Sequence, residues 1–372
     1  MNLAELEAHV LSLGLEKFRA KQIYKWLYAK SERDPMKMTD LSPKARELLA
    51  ANPIGSLSVA KHQISQDGTQ KFLFKTLHGD TIESVFMPMG ERGTTALGSD
   101  QGVWERGAGV DCGVNEDAER ANNTDMGQAS KSRITACISS QVGCAVKCPF
   151  CATGTVGFKR NLDASEIIEQ VLLMQHVTGE RIDNLVYMGQ GEPLNNYDNL
   201  VKSIDMFRNL VGIGVRHITV STSGVVPAML RLADEGLQVN LALSLHDPDD
   251  ADRDYLVPIN KKWPVKEVIA ALQNYVDKTN RRVTIEYAML RDRNDSQAKA
   301  ETLGKLVANL HCNINLIPYN STDVSDPFQR SADSVIRDFA RTLEKSSRNK
   351  TVTVRKERGH DIDAACGQLA NK

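Results

Sequence analysis

The chain has 372 residues, with 46 Lys and Arg against 47 Asp and Glu for a net charge of −1, and 41% of it is hydrophobic. That composition supports one large buried core with a smaller accessory unit, and it excludes disorder throughout and a uniformly basic nucleic-acid binder. No run of roughly 18 apolar residues is present, and residues 1–10 lack a basic stretch followed by an apolar one, so the expectation is a cytoplasmic protein without membrane span or signal peptide. Seven cysteines are too sparse for a disulfide framework, and four of them fall between Cys137 and Cys151, which points to metal or redox chemistry. Charge is uneven: residues 330–360 carry nine Lys and Arg against four acids, and residues 91–130 carry three Arg against eight acids.

Residues 15–30 are predicted to form an amphipathic helix, with Phe18, Ile23, Trp26 and Leu27 on a packing face and Lys17, Lys21 and Lys25 on a basic one. Residues 71–75 and 81–87 alternate in polarity. Asp67-Gly68 precedes the first run and His78-Gly79-Asp80 separates the two, which predicts small antiparallel strands. Residues 1–90 are thus read as an accessory domain. In residues 91–130 periodicity is lost and seven Gly accompany the acids, the composition of a flexible insertion.

Residues 131–372 form the predicted core. Apolar runs at 134–138, 184–188, 217–221, 239–244, 282–289 and 313–318 read as strands, separated by helical patterns at 164–177, 197–210, 226–235, 265–278 and 296–310. Asp163-Ala164-Ser165-Glu166 has the form of a capping box. Repeated βα units imply a parallel sheet closing into a full or partial barrel, whose chemistry sits on loops at the carboxyl ends of the strands. The unusual residues fall there: the cysteine cluster, Gly189-Gln190-Gly191-Glu192-Pro193, Ser221-Thr222-Ser223-Gly224 and Ser244-Leu245-His246.

Cys144, Cys148 and Cys151 form a C-x3-C-x2-C loop. Three thiolates on one loop suit a soft metal centre, whereas structural zinc takes four protein ligands. A [4Fe-4S] cluster held by three cysteines leaves one iron open to the amino and carboxylate groups of S-adenosylmethionine. The alternative is zinc completed by a distant Cys or His, in a colourless, non-catalytic RNA-binding module.

The loop resembles that of the radical S-adenosylmethionine superfamily. Cys137-Ile138-Ser139-Ser140-Gln141-Val142-Gly143-Cys144, Gly157-Phe158-Lys159-Arg160-Asn161-Leu162, Met188-Gly189-Gln190-Gly191-Glu192-Pro193-Leu194, Val257-Pro258-Ile259-Asn260 and Asp361-Ile362-Asp363-Ala364-Ala365-Cys366-Gly367-Gln368-Leu369 resemble the RlmN/Cfr family of RNA adenine methyltransferases. The resemblance runs from Phe18-Arg19-Ala20-Lys21-Gln22-Ile23 to the C-terminal segment.

It implies a partial (β/α)6 barrel with a small N-terminal α+β accessory domain. It also implies a [4Fe-4S] cluster on Cys144, Cys148 and Cys151, and two molecules of S-adenosylmethionine per turnover. Carbon 2 of adenine is electrophilic, so it cannot attack a sulfonium methyl and a radical route is required. In the implied route Cys366 is methylated, a radical made from that thioether methyl adds to the base, and Cys137 releases the adduct through a transient disulfide, with Glu83 as proton acceptor. Implied cofactor contacts are Gly191 and Glu192 to the amino group, Ser221, Ser244, Leu245 and His246 to the carboxylate or ribose, and Asn320 to the adenosine.

Implied partners are 23S rRNA, reached at its peptidyl-transferase centre before subunit assembly, tRNA at the adenosine 3′ of the anticodon, and an electron donor such as flavodoxin. No membrane is involved, and one chain suffices. The basic N-terminal helix and residues 330–360 are the candidate RNA surfaces, since an unpaired base must be presented among phosphate-neutralising cations. The RlmN branch methylates carbon 2 and the Cfr branch carbon 8; Gly189–Pro193 and Ser221–Gly224 favour the former. Two features depart from the family pattern: the 91–130 insertion separates Glu83 widely from Cys137, and His360 stands where a small or acidic residue is expected.

Overall fold

A computed structural model describes residues 3–30, 32–52, 54–89, 133–322 and 327–371. The insertion at 91–130 and its Cys112 lie outside these residues. Three helices open the chain: α1 (Leu3–Ser12), α2 (Arg19–Tyr24), which continues as a π-helical turn over Lys25–Ala29, and α3 (Pro43–Ala51). The Ser42 hydroxyl accepts from the Ala45 N–H at 3.3 Å and Pro43 takes the first helical position, so the sequence itself starts α3. The helix predicted over 15–30 begins only at Arg19. Ile23 and Leu27 are buried as expected, but Phe18 is 52% exposed and stacks under the Arg19 guanidinium instead of packing inward.

The meander β1 (Leu57–Ile64), β2 (Gln70–Thr76) and β3 (Thr81–Met89) follows, with Asp67 accepting from the Thr69 N–H at 2.8 Å to close the first turn. β4 (Arg133–Cys137) pairs antiparallel with β3, Val85 opposite Cys137 and Met89 opposite Arg133. The chain therefore leaves and re-enters on neighbouring strands, and the wide sequence separation of Glu83 from Cys137 vanishes in space.

Beyond β4 come β5 (Gln141–Val142), α4 (Ala152–Val156) and β6 (Arg160–Asn161), the strands forming a two-stranded ribbon around the cysteine loop. The βα alternation then runs α5 (Ala164–Thr178), β7 (Asn184–Tyr187), α6 (Tyr197–Met206), β8 (Ile218–Thr222), α7 (Val226–Asp234), β9 (Asn240–Ser244), α8 (Asp250–Leu256) and α9 (Val265–Thr279). It ends with β10 (Val283–Met289), α10 (Gln297–Val307), β11 (Cys312–Pro318), α11 (Asp333–Ser346) and β12 (Val352–Val354). Asp163 and Glu166 make the predicted capping box at the start of α5.

One ten-stranded mixed sheet has the order β1-β2-β3-β4-β7-β8-β9-β10-β11-β12, parallel from β4 to β12. Its central strands are buried on both faces, polar members such as Thr219, Thr284 and Glu286 included. The accessory strands extend this same sheet. Residues 330–360 are more than a charged surface, since Ile336, Phe339, Ala340 and Leu343 form the buried face of α11 and β12 adds a further parallel strand.

Candidate active site

The cysteine loop leaves the carboxyl end of β4, and its shape is set by backbone crowding. A Cβ at Gly154 would stand 2.5 Å from the Cys148 carbonyl oxygen, so only glycine lets α4 turn back on the loop. Cys144, Cys148 and Cys151 are reduced and pack against Val146, Phe150, Leu256, Val257, Leu290, Tyr319 and Phe328. Burial pushes the Cys144 thiol up to about 12 and raises Cys148 and Cys151 as well, with the Cys151 charge adding to the rise at Cys144 and Cys148.

Such a trio calls for a cation. Among the described residues the one set of three Asp, Glu, His or Cys ligand atoms mutually within 4.8 Å is Asp247, Asp249 and Asp252. Three thiols packed among buried apolar side chains are the donor set of a soft metal centre. The aspartate trio already holds an ammonium, with Lys299 Nζ at 2.7, 2.8 and 2.5 Å.

The carboxyl ends of β7, β8 and β9 are locked together beneath the loop. Glu192 Oε2 accepts from the Ser223 N–H and hydroxyl, each at 2.7 Å, and Oε1 accepts from the Leu194 N–H at 3.0 Å. Burial raises its carboxyl above the usual range. Gly191, at φ +100°, lies against Gln141, so its glycine is required by that close approach. The Ser221 and Ser244 hydroxyls meet at 3.4 Å. Leu245 is buried in the core and its N–H donates to the Glu286 carbonyl at 3.0 Å.

Sequence reasoning missed Arg253, whose setting inside an acidic stretch gave no sign of burial. Its side chain is 0% exposed. Its guanidinium donates to the Leu245 carbonyl at 2.9 Å, the Ser223 carbonyl at 2.7 Å, the Ser244 carbonyl at 3.3 Å and Asn260 Oδ1 at 2.7 Å. It is the cation that favours the Cys148 thiolate. Ser223 was likewise passed over beside Ser221.

His246 adopts φ +60° and its Nδ1 accepts from the Ala288 N–H at 3.0 Å, while Phe150 meets the ring edge-on at 4.9 Å. Burial, and then the Arg253 charge, lower it to about 3, so it stays neutral at physiological pH. Between about 3 and 6.5 the unfolded chain binds a proton here that the folded chain does not, so stability falls with falling pH by up to about 1.4 kcal/mol per unit. Asparagine tolerates this backbone but cannot titrate. The stability deficit of His246→Asn, measured by denaturant unfolding, is expected to shrink from pH 7 to pH 4; a constant deficit contradicts the neutral ring.

A cleft of about 870 Å³, open in part to solvent, brings Cys137, Cys151, Asn320 and Cys366 onto one wall system, with Val85, Met87, Val186 and Leu369 as apolar lining and Arg355, Lys356 and Arg358 as cationic lining. Asn320 is buried and its Oδ1 has no hydrogen-bond partner, an acceptor suited to a polar ligand in the cleft. Cys366 is exposed and Cys137 buried. Glu83 is not among the lining residues; it is fully buried beside Lys71 and accepts from the N–H groups of Ala370 and Asn371. His360 is exposed at the start of a short 3-10 turn.

A parallel partial barrel carrying a three-cysteine loop after the strand β4 defines the class, a radical S-adenosylmethionine enzyme, and residues 138–301 match the Radical SAM superfamily. Residues 1–53 match the ribosomal RNA large subunit methyltransferase N-terminal domain. Over its full length the chain is 40% identical to a probable dual-specificity RNA methyltransferase RlmN of Geobacillus kaustophilus (strain HTA426), covering 92% of that protein. It is also 40% identical to one of Thermotoga sp. (strain RQ2), covering 96%. A crystal structure of a radical SAM methyltransferase from Sphaerobacter thermophilus aligns with all of this chain and 98% of that one, with a TM-score of 0.82 at 39% identity. The chain belongs to the RlmN family of radical S-adenosylmethionine methyltransferases, which use a [4Fe-4S] cluster and S-adenosylmethionine. Among the described residues no helix is long and apolar enough to cross a membrane.

Proposed function

We propose that this enzyme methylates carbon 2 of adenosine in 23S rRNA and in tRNA, with Cys366 as methyl carrier and Cys137 as resolving thiol. The observation that carries this reading is the shared cleft of Cys137, Cys151 and Cys366. Cys144, Cys148 and Cys151 would hold the cluster, which with S-adenosylmethionine supplies, when bound, the methyl group and a hydrogen-abstracting equivalent. Cys366 receives the methyl at its sulfur and presents that carbon to the base. Val85, Met87, Val186 and Leu369 line the space with side chains that keep water from the reacting carbon. In the covalent adduct the base gives up the proton at carbon 2, Cys137 attacks the Cys366 sulfur to form the disulfide, the bond from that sulfur to the methylene carbon breaks with its electron pair on the carbon, and that carbon takes up a proton to become the methyl group of the released base. The resulting disulfide is reset by a dithiol reductant.

Asn320, with its unpartnered Oδ1, offers an acceptor to the adenosine part of S-adenosylmethionine. Lys356 and Arg358, which line the cleft, supply cations for RNA phosphates, whereas Arg355 faces Glu286 at 3.8 Å. The Arg358 guanidinium donates to the Pro88 carbonyl at 3.0 Å, so this wall of the cleft is tied to β3. We further propose action on unassembled ribosomal RNA in the cytoplasm, a flavodoxin-like electron donor, and one chain per catalytic unit.

Anaerobic incubation of the reconstituted protein with RNA, reductant and S-adenosylmethionine, followed by nucleoside mass spectrometry, is expected to yield 2-methyladenosine. 8-Methyladenosine moves the chain to Cfr-like regiochemistry, and neither product from brown, iron-loaded protein overturns the reading.

A further inference from the structure

The segment bearing Cys366 is anchored on both sides of that residue. Upstream, Asp361 accepts from the Ser65 hydroxyl at 2.5 Å and the Gln66 N–H at 3.2 Å, the Gly359 N–H donates to Asp67 at 3.1 Å, and Lys71 Nζ donates to the Asp363 carbonyl at 3.4 Å. Downstream, the Gly367 carbonyl accepts from the Ala152 N–H at 2.7 Å and the Leu369 carbonyl from the Thr153 hydroxyl at 2.8 Å. Gln190 Nε2 donates to Asn371 Oδ1 at 2.8 Å. Cys366 is the exposed residue between these anchors.

Glu83 closes the downstream side. Its Oε2 accepts from the Ala370 N–H at 2.8 Å and the Asn371 N–H at 3.0 Å, and its Oε1 lies 3.4 Å from Lys71 Nζ. Glu83 is 0% exposed and Lys71 3%, so the pair stands out of water entirely. A buried carboxylate costs folding energy unless it is engaged; here Oε2 is engaged by the tail, while Oε1 makes no hydrogen bond and faces the ammonium of a lysine that also binds the tail. Residues 83, 85 and 87 share one face of β3, and of these Val85 and Met87 line the cleft while Glu83 does not. With Oε2 taken by two tail N–H groups and the side chain outside the cleft lining, Glu83 faces the tail.

We propose that Glu83, with Lys71, is a positioning residue, a latch that fixes residues 364–371 and thereby holds Cys366 at its place in the cleft. This rests on the reading of Cys366 as methyl carrier. Latching belongs to the first half of the cycle, before RNA arrives, and any role of Glu83 as proton acceptor requires the tail to lift first. Proton acceptance alone predicts that Glu83→Ala and Glu83→Gln both load methyl on Cys366 normally and fail only with RNA. The latch predicts that the glutamine variant, which keeps an acceptor oxygen, is rescued.

Three variants separate these outcomes: Glu83→Ala; Glu83→Gln, which keeps an acceptor oxygen for the tail N–H groups and leaves Lys71 intact; and Ala370→Pro, which deletes one tail donor and leaves Glu83 and Lys71 intact. Hydrogen exchange read by mass spectrometry on the full chain is expected to quicken about tenfold over residues 364–371 in Glu83→Ala and Ala370→Pro, and to move back toward wild type in Glu83→Gln. Exchange over residues 133–322 should be unchanged, which checks folding. Methyl loading of Cys366 by S-adenosylmethionine without RNA, read by peptide mass, should slow in Glu83→Ala and Ala370→Pro and recover in Glu83→Gln. Unchanged tail exchange in Glu83→Ala and Ala370→Pro overturns the latch, and lost protection with undiminished loading overturns the positioning role. Retained RNA methylation by Cys366→Ala instead overturns the methyl-carrier reading, whatever the tail does.

Discussion

Replacing Cys137 with alanine is expected to stop the reaction at a covalent protein–RNA species and to lower turnover by at least about a thousandfold. Cys137 ends β4, is buried among Val85, Val186, Ala364 and Leu369, and shares the cleft with Cys366. The other cysteine lining that cleft is Cys151, one of the three loop thiols, so among the described residues no spare thiol stands in for Cys137. Serine would be a poor substitute, because the attacking atom must form a bond to sulfur that a reductant can later break. Denaturing electrophoresis of Cys137→Ala with RNA and S-adenosylmethionine should show a slowly migrating band that collapses on nuclease treatment, absent from Cys137→Ala/Cys366→Ala. Normal turnover by Cys137→Ala would remove it from the mechanism.

The largest effect on stability is expected at Arg253. Arg253→Leu leaves the Ser223 and Leu245 carbonyls and Asn260 Oδ1 without this donor in a buried setting, and its shorter side chain leaves a void, a combined cost of about 3–5 kcal/mol. Lysine is no remedy, since it cannot fork to carbonyls on different strand ends as a guanidinium does. Because Leu256 and Val257 at the end of α8 pack against the cysteine loop, iron content should fall together with the denaturation midpoint. A loss below about 1 kcal/mol by anaerobic urea unfolding would mean that the guanidinium is not the clamp between β8 and β9 that its hydrogen bonds describe.

The barrel was legible from the regular alternation of strand and helix patterns, although a strand such as Val283–Met289 alternates Thr284 and Glu286 with apolar residues and is nonetheless buried on both faces. The capping box at Asp163 and Glu166 was legible because its geometry is local. α11 was obscured by its own solvent face: the basic residues dominated the reading, although Ile336, Phe339, Ala340 and Leu343 carry a helical period of their own. At the site, thiol spacing was readable, since all three cysteines lie on one short loop. Contacts across long separations were not: Arg253 to Ser223, and Glu83 to Ala370, involve ordinary residue types whose meaning comes from the fold bringing them together. Ser223 and Ser221 sit two residues apart on one strand end, and nothing short of the structure tells which one meets Glu192.

The pairing of Met89 with Arg133 has an evolutionary consequence. A segment that begins and ends at partners in one ladder adds no distance between the strands that carry it, and the entropy cost of closing it grows only slowly with its length. The link between Met89 and Arg133 is therefore a place where a lineage can gain or shed sequence, even a foreign domain, while Glu83 and Cys137 keep their register. The same addition between Cys137 and Cys144 has no such freedom, because there the chain length itself sets where the thiols stand.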